Sequence, residues 1–231
     1  MTGTPYSPSQ LGVRPASQLS NQLLAGAFAW MGAGLLLTAA VAWVVGTNES
    51  LIIGISRLWL PLAFGQLGFA IVLQGAIRRL SPMVSLGLFF AFAAMLGLTT
   101  GVIVSLYTQE SVAVAFLSAS AMFGGAALYG YTTKRSLVGF GPALFMGMIG
   151  LIVASVVNLF LGSSPLGWAI ALIGVVIFAI FTAYDVQKIV HGDYAAALGS
   201  IEKASILAAV HLYIDFVNLF LFLLRLLGSR R

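Results

Sequence analysis

Seven long apolar stretches separated by short polar breaks run through the chain, near residues 22–46, 57–77, 82–106, 111–132, 137–161, 165–190 and 204–227. Each has about 20 residues or more, the length of α-helix that crosses a roughly 30 Å hydrocarbon core. None alternates polar and apolar positions as barrel strands do. In lipid only helices and closed barrels satisfy the whole backbone, so an all-α membrane protein of seven transmembrane helices is expected. Residues 47–56 are expected to form a short interfacial turn, and residues 191–203 the longest connection. Residues 1–20, rich in Pro, Ser and Gln with Arg14 their one charge, read as a flexible polar tail. The apolar run that follows is too long for a cleaved signal peptide. Residues 21–231 then form a single transmembrane domain.

The charged positions support the same segmentation. Between Pro82 and Tyr184 the only charged residues are Glu110, Lys134 and Arg135, each at a break. Arg14, Arg78, Arg79, Lys134, Arg135, Lys188 and Lys203 fall on one predicted face and Arg57 on the other, which places the N-terminus in the cytoplasm. An odd number of spans puts Arg230 and Arg231 outside, against that rule, unless the last segment is re-entrant.

Composition narrows the function classes. The chain of 231 residues is 60% hydrophobic and 7% charged, against about 25% charged in soluble domains. Its partner is therefore the lipid bilayer, and a plasma membrane fits best. The formal charge of +5 comes from basic residues standing singly or in pairs between apolar runs, a topology signal rather than a nucleic-acid footprint. Without cysteine there is no disulfide framework, thiolate nucleophile or cysteine metal site. No dinucleotide fingerprint or cofactor box is present, so no cofactor is expected. Small residues at packing spacing, Gly26 with Trp30 and Gly34, Gly147 with Leu151, and Gly124 and Gly125 with Ala126, are expected to allow close helix contact.

Two of the six acids lie inside spans. Asp185 stands in Tyr184-Asp185-Val186-Gln187-Lys188, about five residues from the end of the sixth span, hence roughly 7 Å below the boundary. Asp215 is roughly 15 Å along the antiparallel seventh. An ionised carboxylate at the bilayer centre costs about 3 kcal/mol or more, so such groups pair, protonate or line water. Two adjacent carboxyls cannot both ionise cheaply, and the pair would share a proton. When both ionise, the pair offers the hard oxygen ligands that Ca²⁺ prefers. The plainer alternative is that each aspartate neutralises a base such as Lys188, Arg78 or Arg225. Arg78 and Arg79 share the predicted face of Asp185, so either is a candidate ionic latch or simply a boundary anchor. His211, four residues before Asp215, is on the same helical face and either tunes the carboxylate or packs. Asn158 and Asn218 either hydrogen-bond the site or join helices.

Three stretches give the chain a family likeness. They are Tyr129-Gly130-Tyr131-Thr132-Thr133-Lys134-Arg135 with Leu137, Tyr184-Asp185-Val186-Gln187, and Leu212-Tyr213-Ile214-Asp215-Phe216-Val217-Asn218-Leu219-Phe220-Leu221 with Leu224-Arg225. On these residues the chain resembles the Bax inhibitor family of small membrane proteins, in its bacterial branch. The resemblance implies a seven-helix fold with the C-terminal helix central and six helices around it in two three-helix layers. It also implies a pH-dependent calcium leak channel, with an aspartate pair that looks like Asp185 and Asp215 and an arginine latch that looks like Arg78 or Arg79. The sequence departs from the family pattern at Ser136, where an acidic residue is usual, and at His211, where a small polar one is. The second span has Gln66 and Gln74 but no carboxylate, so an acidic ligand on that helix would be missing.

Three functions remain open at this point: a proton-gated calcium conductance, a regulatory partner of membrane proteases or cell-death and stress factors without transport, and an intramembrane aspartyl protease. The protease is disfavoured, because Leu212-Tyr213-Ile214 stands where Gly-x-Gly precedes the second aspartate of that class. No enzyme is expected.

Overall fold

The computed structural model describes residues 16–231; Arg14 and the expected tail as far as residue 15 lie outside the described residues. Nine α-helices follow among those described: α1 Ala16–Gly46, α2 Glu49–Arg57, α3 Trp59–Ala76, α4 Pro82–Ser105, α5 Gln109–Thr132, α6 Gly141–Leu161, α7 Ser164–His191, α8 Asp193–Leu198 and α9 Ile201–Leu227. Seven of them, all but α2 and α8, are long and apolar enough to cross a membrane. The bounds of the spans match the expected runs to within a few residues. The tail expectation is corrected at its end, since Ala16 already opens α1.

Local chemistry explains where the helices begin. Ser81, Thr108, Ser163 and Ser200 each accept a hydrogen bond from the backbone N–H three residues on, satisfying a donor that the first turn leaves free. Pro82 and Pro165 stand in first turns, where a missing N–H costs nothing. The turn expected over 47–56 is instead the helix α2. Asn48 caps it by accepting from the Leu51 N–H, and Glu49 and Arg57 complement the two ends of its dipole. None of its residues is buried, so it lies on the surface between α1 and α3.

The helix α9 is the centre of the bundle. It packs against α1, α4, α5, α7 and α8, and 16 of its 27 residues are buried, against three of 21 in α6 and two of 18 in α3. One layer is α1, α4 and α3, with α3 packed on α4. The other is α5, α7 and α6, with α6 packed on α7. Close approach within the layers rests on glycine. A Cβ at Gly97 would stand 2.7 Å from Val41 Cβ and one at Gly101 2.7 Å from Val45 Cβ, while one at Gly130 would collide with the Ala183 carbonyl. Among the expected small-residue contacts, Gly26, Gly34 and Gly147 do meet a neighbouring helix, on Ser205, Phe89 and Ile177. Gly124 and Gly125 face open space, because their side of α5 points away from α7 and α9.

We call the end that carries the start of α1 and residues 77–81, 133–140 and 192–200 the N-terminal face, and the opposite end the C-terminal face. The helix α9 runs unbroken to Leu227, so the last segment is not re-entrant. Beyond it, Arg231 N–H donates to Leu106 O at 3.0 Å, Thr108 N–H to Ser229 O at 3.2 Å and Ser229 N–H to Ser111 Oγ at 2.9 Å. Arg230 and Arg231 are thereby held on the C-terminal face against the α4–α5 turn.

Candidate functional site

The carboxyl pair is built where α7 and α9 pack together, Asp185 six residues before the end of α7 and Asp215 near the middle of α9. Gly192 (φ 79°) ends α7 in the left-handed conformation that glycine adopts without steric penalty. The chain reverses into α8, and Ser200 starts α9 antiparallel to α7. Asp185 is 3% exposed and Asp215 4%, and their side chains are in hydrogen-bonding range of one another.

Asp185 is well furnished with partners. The Tyr194 hydroxyl, from α8, donates to its Oδ1 at 2.9 Å, and His211 Nδ1 lies 3.4 Å from its Oδ2. The Tyr194 and His211 rings meet edge to face at 5.5 Å. Burial, with the Asp185 charge second, pushes the Tyr194 hydroxyl well above the ordinary tyrosine range, so it stays a donor. Lys188 Nζ sits over the rings of Tyr194 and Tyr184, at 5.0 and 5.2 Å, holding a cation near the pair by cation–π attraction rather than by an ion pair. Asp215 Oδ2, by contrast, is buried without a hydrogen-bond partner. Buried carboxyl oxygens are normally satisfied, which sets this atom apart from those of Asp185. Among the described residues no group of three or more His, Cys, Asp or Glu side chains is placed to hold a metal ion.

Comparison with known proteins agrees with this architecture. Residues 20–231 match the family described as inhibitor of apoptosis-promoting Bax1. The chain belongs to the Bax inhibitor family. The inner membrane protein YbhL of Escherichia coli strain K12 is 44% identical over 225 residues, which cover 95% of this chain and 96% of that protein. An uncharacterised protein of Deinococcus radiodurans is 40% identical over 208 residues, 90% of each chain. The uncharacterised protein RP147 of Rickettsia prowazekii is 43% identical over 171 residues, 74% of this chain and 72% of that one. With seven apolar helices and this likeness to YbhL, the Bax inhibitor family member is an integral protein of the bacterial inner membrane.

The bundle brings Asp185, Asp215 and His211 together but not the two arginines. Arg78 and Arg79 follow the last core residue of that segment, Ile77, and both are exposed, with no ion pair to either aspartate. The physical reason is the position of α3, which packs on α4 at the outside of its layer rather than on α9. The neutralising bases Lys188 and Arg225 are likewise not bonded to the pair. Lys188 is on aromatic rings, and the Arg225 guanidinium lies against Gly167 and Asn158 towards the C-terminal face. Asn158 Oδ1 accepts from the Ser163 N–H and Asn218 Nδ2 donates to Ile214 O within its own helix, so neither serves the site. Gln66 Nε2 donates to Met95 O and Thr99 Oγ1, tying α3 to α4.

Two contributors were not legible in the sequence of this family member. Tyr194 falls in the longest expected connection, and only the Gly192 reversal turns it back onto Asp185; Gly192 and Gly199 flanking the six residues between them were the available signal. Gln187, two residues after Asp185, accepts from the Leu137 N–H at 2.7 Å and donates to Arg135 O at 2.8 Å. It clamps the α5–α6 connection to the helix that carries the pair.

Proposed function

We propose that this Bax inhibitor family member is a pH-sensitive leak channel for calcium and similar cations, with Asp185 and Asp215 as permeation and gating site. The observation that carries the proposal is two carboxyl groups in hydrogen-bonding range, both buried, inside a transmembrane bundle. Holding one proton, the pair closes on itself. With both groups ionised it presents hard oxygen ligands and the charge that draws in a divalent cation. Two carboxylates fall well short of the 6–8 oxygen ligands that surround Ca²⁺ in dedicated sites, and weak binding is what conduction requires, since an ion must also leave.

His211, rather than an arginine, stands beside the pair in the position of a gating group. Its Nδ1 lies 3.4 Å from Asp185 Oδ2, where a positively charged imidazole would offset the charge with which the ionised pair draws in a cation. A latch through Arg78 or Arg79 would require α3 to move its end inward.

The test is Ca²⁺ flux into indicator-loaded proteoliposomes from about pH 6 to 8, comparing the unaltered protein with Asp185→Asn and Asp215→Asn. The expected result is a pH-dependent flux that both substitutions change. Background flux from all three proteins would overturn the channel and leave a regulatory partner, without transport, as the better account.

A further inference from the structure

Two left-handed glycines, Gly192 (φ 79°) and Gly199 (φ 62°), stand at either end of α8, and a Cβ on either would meet nothing within 4 Å. Neither glycine makes room for a neighbour. Each answers a backbone conformation that other residues adopt only at a cost, and hinges are a few positions of this kind at the ends of elements. The helix between them has six residues, and Tyr194 is the one that is buried. Ala195 and Leu198 pack partly against the core, while Asp193, Ala196 and Ala197 are exposed. An element with so little buried apolar surface belongs to the least stable part of a fold.

What α8 covers is the carboxyl pair, and one side chain holds it there. The Tyr194 hydroxyl donates to Asp185 Oδ1 at 2.9 Å, its ring meets that of His211 edge to face at 5.5 Å, and Lys188 Nζ stands 5.0 Å over it. Among the described residues no other side chain of α8 makes a hydrogen bond, an ion pair or a ring contact. Asp185 lies six residues before the end of α7, about 9 Å along the axis, so withdrawing this one ring uncovers Oδ1 towards the N-terminal face.

We propose that α8 is a lid, hinged at Gly192 and Gly199 and caught by Tyr194, whose opening admits water and inorganic cations from the N-terminal face to Asp185 and Asp215. That cations are what it admits rests on the channel reading; the movement of α8 does not. The chain has no cysteine, so one pair can be introduced and spin-labelled in the full protein in lipid nanodiscs: Ala196→Cys on the exposed side of α8 and Thr132→Cys at the exposed end of α5. A second readout is the rate at which a water-soluble carbodiimide labels Asp185, followed by mass spectrometry of peptides.

The parent is expected to give one narrow label-to-label distance and slow labelling of Asp185. Tyr194→Phe keeps the ring and removes the hydroxyl, and should add a second distance population and speed labelling several-fold; Tyr194→Ala, which also removes the ring contacts, should make the second population dominant. Unfolding midpoints in detergent check that both variants are folded. An unchanged single distance together with unchanged labelling in both folded variants would overturn the lid and make α8 a fixed cap. In Ca²⁺ flux, both variants should exceed the parent several-fold. Variants that open by distance and labelling yet conduct no better than a conducting parent would overturn α8 as the ion entrance. Open variants with background flux from every protein would support the lid and overturn the channel reading instead.

Discussion

The Tyr194 hydroxyl donates to Asp185 Oδ1 across 2.9 Å, closing α8 over the carboxyl pair. Its folded-state pKa lies above the usual tyrosine value, through burial first and Asp185 second. A raised pKa contributes stability that is fully present below the unfolded value, about 10, and is lost as pH rises towards the folded value. Above about pH 10 the protein should lose up to ~1.4 kcal/mol per pH unit on this account. Chemical unfolding in detergent should show that alkaline fall to be shallower in Tyr194→Phe. Parallel curves would mean that the hydroxyl is not held as described.

The contact between Tyr213 and Thr38 gives a second expectation. Thr38 Oγ1 is 2.6 Å from Tyr213 OH and 2.9 Å from the Gly34 and Ala93 carbonyls. Its single proton goes to a carbonyl, so the tyrosine is the donor. The ring packs edge-on to Phe89 and Phe92. Tyr213→Phe removes one interhelical hydrogen bond, worth ~1 kcal/mol in a membrane protein, and Tyr213→Ala adds a cavity costing ~3–5 kcal/mol. Equal losses in the two variants, read from unfolding midpoints, would contradict a mainly packing role.

Why some of this was legible in the sequence and some was not follows from the physics of each feature. Bilayer thickness imposes a length on every span, and the few charges fall at the breaks between spans, so the seven-helix order is written in one dimension. Asp185 and Asp215 stand out because charge is rare in lipid. The role of Tyr194 depends on one left-handed glycine, and the distance from Arg78 to the pair depends on where α3 docks; neither leaves a periodic trace. Gly124, Gly125 and Gly130 look alike in sequence, and only the partner helix separates them.

That separation is itself measurable. A Cβ at Gly130 meets the Ala183 backbone carbonyl, two residues before Asp185, whereas one at Gly124 meets nothing within 4 Å. Backbone cannot yield as a side-chain tip does, so Gly130→Ala should cost ~1–3 kcal/mol as overpacking and displace α7 under the carboxyl pair. Gly124→Ala should be neutral or gain ~0.4–1 kcal/mol, from the lower entropy of its unfolded chain. Thermal unfolding of both variants in one detergent decides it, and a Gly130→Ala protein as stable as the parent would refute the close contact of α5 with α7.

The sharpest expectation sets His211 against the two arginines. His211 Nδ1 is 3.4 Å from Asp185 Oδ2, while Arg78 and Arg79 are exposed and carry no ion pair to the aspartates. If the imidazole beside the pair sets the response to pH, His211→Gln should flatten the pH dependence of Ca²⁺ flux measured from about pH 5 to 8. The double variant Arg78→Gln with Arg79→Gln should leave the shape of the curve unchanged, because arginine keeps its charge throughout and has no bond to lose here. Surface charges removed from one face alter the amplitude at low salt by changing the local cation concentration, an effect that screening at about 0.15 M suppresses. Recording both variants at low and physiological salt therefore separates a gate from a surface field. A curve flattened by the arginine double variant at physiological salt, and untouched by His211→Gln, would transfer the latch to the end of α3 and require that helix to move.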